Sequence, residues 1–168
     1  MDAATAAGIF PRASHPWPGA AMNSENTIAH AGTEKAQPAY VELAYLLLRV
    51  VAGLIFFQAG SMKFLGWFGG LPSTGAAAPL WSQMGIGGML EFFGGLLVMA
   101  GALTRPVALL LSGEMAVAYW QFHAPGGRWP ILNHGEQAVL FCFVFLYFAA
   151  RGAGPWSLDG LIRRTRRR

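Results

Sequence analysis

From Leu43 to Ala150 the chain carries only seven charged side chains, Arg49, Lys63, Glu91, Arg105, Glu114, Arg128 and Glu136, scattered over four long apolar segments and their connections. Helices cut from such segments lack the polar face that a water-soluble bundle must turn to solvent. The pattern predicts an all-α membrane protein, a bundle of four transmembrane helices. The first span covers about Leu43 to Lys63, the second Met84 to Leu103, the third Pro106 to His123 and the fourth Ile131 to Ala150. A helix rising 1.5 Å per residue needs roughly 20 residues to cross a hydrocarbon core of about 30 Å, and each segment comes close to that. Pro106 and Pro130 stand where a helix start tolerates a missing N–H. A turn at Thr104-Arg105 would make spans two and three antiparallel neighbours.

The two ends differ in kind from this body. Residues 1–42 are rich in Ala, Pro, Ser, Thr and Asn without a sustained period, so a disordered cytoplasmic tail is expected. They hold no apolar core of the length a signal peptide needs, and Met22 offers an alternative start. The other end, 151–168, is basic. Arg151, Arg163, Arg164, Arg166, Arg167 and Arg168 make up half of the positive charge behind the formal +4 and the pI of 9.7. Such a tail after an apolar segment suits anionic lipid, and with no aromatic interleaved among its terminal arginines it offers nothing for base stacking, which argues against nucleic acid. Ser157 is a suitable N-cap for a short interfacial helix through Ile162. With both termini cytoplasmic, that side collects Arg12, Lys35, Arg105, Arg151 and the five terminal arginines; the outer side keeps Arg128, and Lys63 if it counts as a flank. The positive-inside rule therefore places both termini in the cytoplasm. The outer loop from Phe64 to Gln83 is uncharged and carries Trp67, Phe68 and Trp81, an aromatic belt for the headgroup region. The lone cysteine, Cys142, excludes an internal disulfide and a C-x-x-C redox pair.

The ordered set GLIFFQAGSMKFLGWFGG, LEFFGGLLVMAGALTRP, HGEQAVL and GAGPWSLDG resembles the DoxX family of small four-helix membrane proteins, over about Leu43 to Gly160. The resemblance implies a multi-pass protein of the bacterial inner membrane. It also implies an association with redox systems, since the family takes its name from a subunit linked to quinone-dependent oxidation of thiosulfate. It supplies no agreed catalytic residue.

Ionisable groups within a bilayer cost about 2.5–3.5 kcal/mol each near its centre, so they turn inward and find partners. Arg49, Gly53, Phe56, Gly60 and Lys63 recur at spacings of four and three, one stripe of the first span in which glycines permit close helix approach. Gly87, Glu91 and Gly95 share a face of the second span. Counted along the helices, Arg49 lies roughly 9 Å and Glu114 roughly 12 Å from the inner boundary, so an intramembrane ion pair between them is expected. Glu91 and Glu136 lie roughly 10 and 8 Å below the outer boundary, within reach of Lys63. Two carboxylates and one ammonium leave an acid in surplus, which makes Lys63, Glu91 and Glu136 the candidate ligand or proton site. Glu136 also suits the N-terminal turn of its helix. His123 lies half a turn from the Glu114 face, and with His134 is read as an interface residue; no metal site is expected. The leading reading is an accessory subunit of a quinone-linked membrane redox system, with other redox-complex subunits or a second copy of the chain as partners. The alternatives are a small transporter or proton conductor and a non-catalytic scaffold.

Overall fold

The structure, a computed structural model, describes residues 37–166. The expected N-terminal tail lies outside these apart from 37–42, as do Arg167 and Arg168. Among the described residues there are six α-helices and no strand: α1 (Ala39–Leu65), α2 (Gln83–Ala100), α3 (Thr104–Ala118), α4 (Pro130–Asn133), α5 (Glu136–Arg151) and α6 (Leu158–Thr165). α1 and α2 are each long and apolar enough to cross a membrane.

The helix ends follow local chemistry. α1 starts after Pro38, earlier than the apolar run suggests, and stops at Gly66, whose φ of 72° lets its N–H turn back to the Ser61 carbonyl. α2 opens on Ser82, whose hydroxyl accepts the Gly85 N–H at 3.0 Å, and closes on Gly101 at φ 66°. The connection to α3 is Gly101–Leu103, so Thr104 and Arg105 belong to the first turn of α3 instead of forming the expected turn. Two N–H groups at this start, those of Leu103 and Thr104, donate to the two carboxylate oxygens of Asp159, 2.9 and 3.0 Å away. The cap is thus supplied by α6, and Ser157 caps α6 in turn through the Gly160 N–H.

α1 and α2 pack antiparallel through glycine. A Cβ at Gly60 would collide with the Phe92 backbone, one at Gly88 would stand 2.6 Å from Lys63 Cβ, and one at Gly53 would stand 2.7 Å from the Gly95 carbonyl oxygen. α3 and α5 form the second pair, tied by the Ser112 hydroxyl donating to the Cys142 carbonyl at 2.8 Å. Between the pairs lies an aromatic core in which Phe56 meets Phe141 and Phe145 edge to face and Tyr45 meets Phe148 likewise. The exterior is the reverse of a soluble protein's: Leu47, Val51, Leu54, Leu109 and Leu140 are exposed while Arg49 and Glu91 are buried.

The fourth apolar segment is not one helix. α4 is a single turn, and the chain breaks at His134, φ 56°, and Gly135 before α5 begins. Asn133 makes the break: its Oδ1 accepts the Gly135 N–H and its Nδ2 donates to the Gly127 carbonyl, both at 2.9 Å. The third segment does extend to His123, but its last turn, Tyr119–His123, is π-helical.

Candidate functional site

The helix registers decide which ionisable groups meet. A Cβ at Gly101 would lie 2.8 Å from the Arg49 guanidinium carbon, so the α2–α3 turn sits at the level of Arg49. α3 climbs away from that level, and Glu114, ten residues after Thr104, is about 15 Å further along the bundle. The expected Arg49–Glu114 pair is therefore not made. The depth count placed Arg49 by its Cα, whereas its guanidinium reaches back to the Gly101 turn. Arg49, only 2% exposed, instead donates from Nη1 to the Ala153 carbonyl and from Nη2 to that of Trp156 at 2.8 Å. Nearby, Tyr45 donates its hydroxyl to the Gly152 carbonyl, and Arg151 pairs with Glu42 at 2.8 Å while lying 4.0 Å above the Tyr45 ring.

Lys63 and Glu91 do meet: Nζ and Oε1 are 2.5 Å apart, with Glu91 3% exposed. Gly88 makes room for the Lys63 stem and Gly60 for the backbone at Glu91 and Phe92. The third member is Glu114 in place of Glu136. A Cβ at Gly87 would sit 3.1 Å from Glu114 Oε1, so the absence of a side chain on that turn of α2 lets the carboxyl lie against it. There Glu114 is within electrostatic reach of both Glu91 and Lys63. Glu136 is the first residue of α5, exposed, and outside the cavity wall to which its neighbours Gln137 and Ala138 contribute. The α5 start puts it on the turn next to the chain break, where it is in the helix-dipole position rather than the buried layer.

Lys63, Glu91 and Glu114 line a cavity of about 940 Å³ between the four long helices. Its other walls are mostly apolar, with Ile55, Phe56, Leu90, Leu110 and Phe141 among them. One carboxylate oxygen of each acid, Glu91 Oε2 and Glu114 Oε2, is buried without a hydrogen-bond partner, an arrangement that normally costs about 1–3 kcal/mol or more for a charged group. Such orphaned acceptors beside an ammonium suit a ligand with its own polar end, or a mobile proton.

Two further polar residues on the cavity wall, Gln83 at the start of α2 and Gln137 on α5, escaped the sequence reading; Gln83 donates a hydrogen bond to Gln121 just beyond α3. His123 also lines the cavity, its Nδ1 3.1 Å from the Asn133 carbonyl oxygen. The half-turn offset assigned to it holds only for a uniform α-helix. A π turn rotates less per residue, which swings His123 back toward the Glu114 side. No periodicity in the sequence announces that turn. Among the described residues no three His, Cys, Asp or Glu side chains converge as a metal site would need.

Comparison with known proteins agrees with the apolar exterior. Residues 44–124 match the DoxX family model. A Haemophilus influenzae protein of uncharacterized function is 38% identical over 130 residues, covering 75% of this chain and 92% of that relative. An Escherichia coli protein, "Inner membrane protein YqjF", is 27% identical over 73% of this chain and 95% of its own length. A Bacillus subtilis protein, "Putative oxidoreductase CatD", is 28% identical over 72% of this chain and 88% of its own. No solved structure gives a significant match. The chain belongs to the DoxX family and is a membrane protein.

Proposed function

We propose that this protein spans the inner membrane four times, with both termini in the cytoplasm, and binds a quinone in its cavity as an accessory subunit of a membrane redox system. α1, α2, α3 with its π turn, and α4–α5 together serve as the four spans. The short α4–α5 break is tolerated at membrane depth because Asn133 satisfies the freed backbone groups. The basic bias sets the end that carries Arg105, Arg151 and α6 toward the cytoplasm. The end of the cavity that carries Lys63 and Glu91 then lies in the outer half of the bilayer.

The observation that carries the reading is the layer of Lys63, Glu91 and Glu114 set in the wall of a large, mainly apolar cavity. A quinone ring fits the apolar wall, and its carbonyl oxygen accepts from the Lys63 ammonium. Reduction to the quinol takes two electrons, which a partner subunit must deliver, and two protons, which carboxyl groups at this depth are placed to relay. The likeness to a protein named as an oxidoreductase favours redox chemistry over a purely structural role.

The test is extraction of the protein, purified in mild detergent, and identification of bound lipid-soluble compounds. A quinone at near-stoichiometric level, lost in Glu91→Gln and Lys63→Met at normal protein yield, is the expected result. Wild-type protein that carries none, and whose melting does not shift with a short-chain quinone analogue, would end the quinone reading. The proton-conducting alternative would then be tested by proton flux in proteoliposomes.

A further inference from the structure

At the end of the bundle where α3 begins lies a smaller hollow of about 400 Å³. Its walls are the start of α3, the residues that follow α5 and one side of α6. Three arginines, Arg105, Arg163 and Arg166, line it together with a single acidic residue, Asp159. Both oxygens of that carboxylate are already engaged by the Leu103 and Thr104 N–H groups. Arg105 reaches the Ala149 and Arg151 carbonyls only at 3.4 Å, long for a hydrogen bond, so its fork retains donor capacity. Neither Arg163 nor Arg166 belongs to either ion pair of the described residues. Three cations and one committed anion around one hollow repel each other until an anion with several acceptor oxygens enters.

Planar guanidinium forks match phosphate oxygens two at a time, which an ammonium does not. The remaining face of α6 indicates where such a phosphate comes from. Leu158, Leu161 and Ile162 are 48%, 59% and 52% exposed, so the helix is apolar on one side and basic on the other, as in helices that lie in the plane of a membrane surface. The hollow is therefore level with the lipid headgroups.

We propose that Arg105, Arg163 and Arg166 form a binding site for a phosphate group, supplied by the headgroup of an anionic lipid in the cytoplasmic leaflet. The site goes beyond the cavity reading, and its test measures lipid retention without reference to redox activity, so either can fail alone. The test is native mass spectrometry of the full chain exchanged into mixed phosphatidylglycerol and phosphatidylcholine. The expected result is one retained phosphatidylglycerol, with retention reduced about tenfold in Arg163→Ala/Arg166→Ala. Arg164→Ala, which removes the same charge from the same helix but outside the hollow, should leave retention unchanged. Arg163→Lys, which keeps charge and removes the fork, should fall between. Equal loss in Arg164→Ala and Arg163→Ala would reduce the effect to general attraction by a basic tail and overturn the site. Undiminished retention in the double variant would overturn it as well. Addition of millimolar inorganic phosphate separates the two sources: no displacement supports lipid, and full displacement with the same arginine dependence overturns the lipid assignment.

Discussion

Arg49 and Lys63 lie on one stripe of α1, yet removing each has a different consequence. Arg49 satisfies two main-chain carbonyls beyond α5, so Arg49→Leu leaves the oxygens of Ala153 and Trp156 without their donors. A loss of about 3 kcal/mol is expected from reversible unfolding in mixed detergent micelles. Because Glu114 stands in another layer, Arg49→Leu/Glu114→Leu should be additive within about 0.5 kcal/mol. Lys63→Met strands the buried Glu91 carboxylate, whereas Lys63→Met/Glu91→Leu removes both charges. The double variant is expected to recover at least about 1 kcal/mol of the summed single losses, and simple additivity would show that the pair is not coupled. Which residues sit on which stripe was legible in the sequence, since a spacing of four and three is a property of one helix. Which stripes meet was legible only for Lys63 and Glu91; the place of Glu114 was not, because the register between helices is set by where each glycine admits its neighbour.

Among elements, α1 and α2 are held by close approach of backbones. Gly60→Ala would drive a methyl group into the Phe92 backbone, which cannot move without separating the two helices. Gly113→Ala on α3 meets nothing within 4 Å. The first change should lower the unfolding midpoint clearly and loosen the Lys63–Glu91 contact. The second should be neutral or stabilising by up to about 1 kcal/mol, from helix propensity alone. Equal effects of the two in the same unfolding assay would argue against glycine-mediated packing. The existence and order of the apolar helices was readable from hydropathy. The break at His134 and the π turn before Ala124 were not readable, because both arise from side-chain bonds and turn geometry that leave the apolar count unchanged.

For the whole molecule, the distribution of Lys and Arg makes a topological prediction. A periplasm-active reporter fused near Gly126 should be active and one fused to the C-terminus silent, with the reverse for a cytoplasm-active reporter. Both fusions on the same side would refute the four-span arrangement. The family and its membrane setting were legible from short motifs spread along the chain, whereas the identity of the second acid, Glu114 in place of Glu136, required all four long helices to be assembled.

The segment after α5 touches almost everything that the early helices leave unfinished: the Arg49 guanidinium, the Tyr45 hydroxyl and the open N–H groups at the start of α3. Synthesis runs in one direction, so α1 enters the bilayer long before Ala153, Trp156 and Asp159 exist. Until they leave the ribosome, a cation waits in the membrane without its acceptors, and the nascent protein resembles a damaged one to a membrane protease. Completion of the last residues is then the event that distinguishes a finished molecule from an unfinished one. A chain ending at Arg151 should insert normally and be degraded quickly, as pulse-chase labelling would reveal.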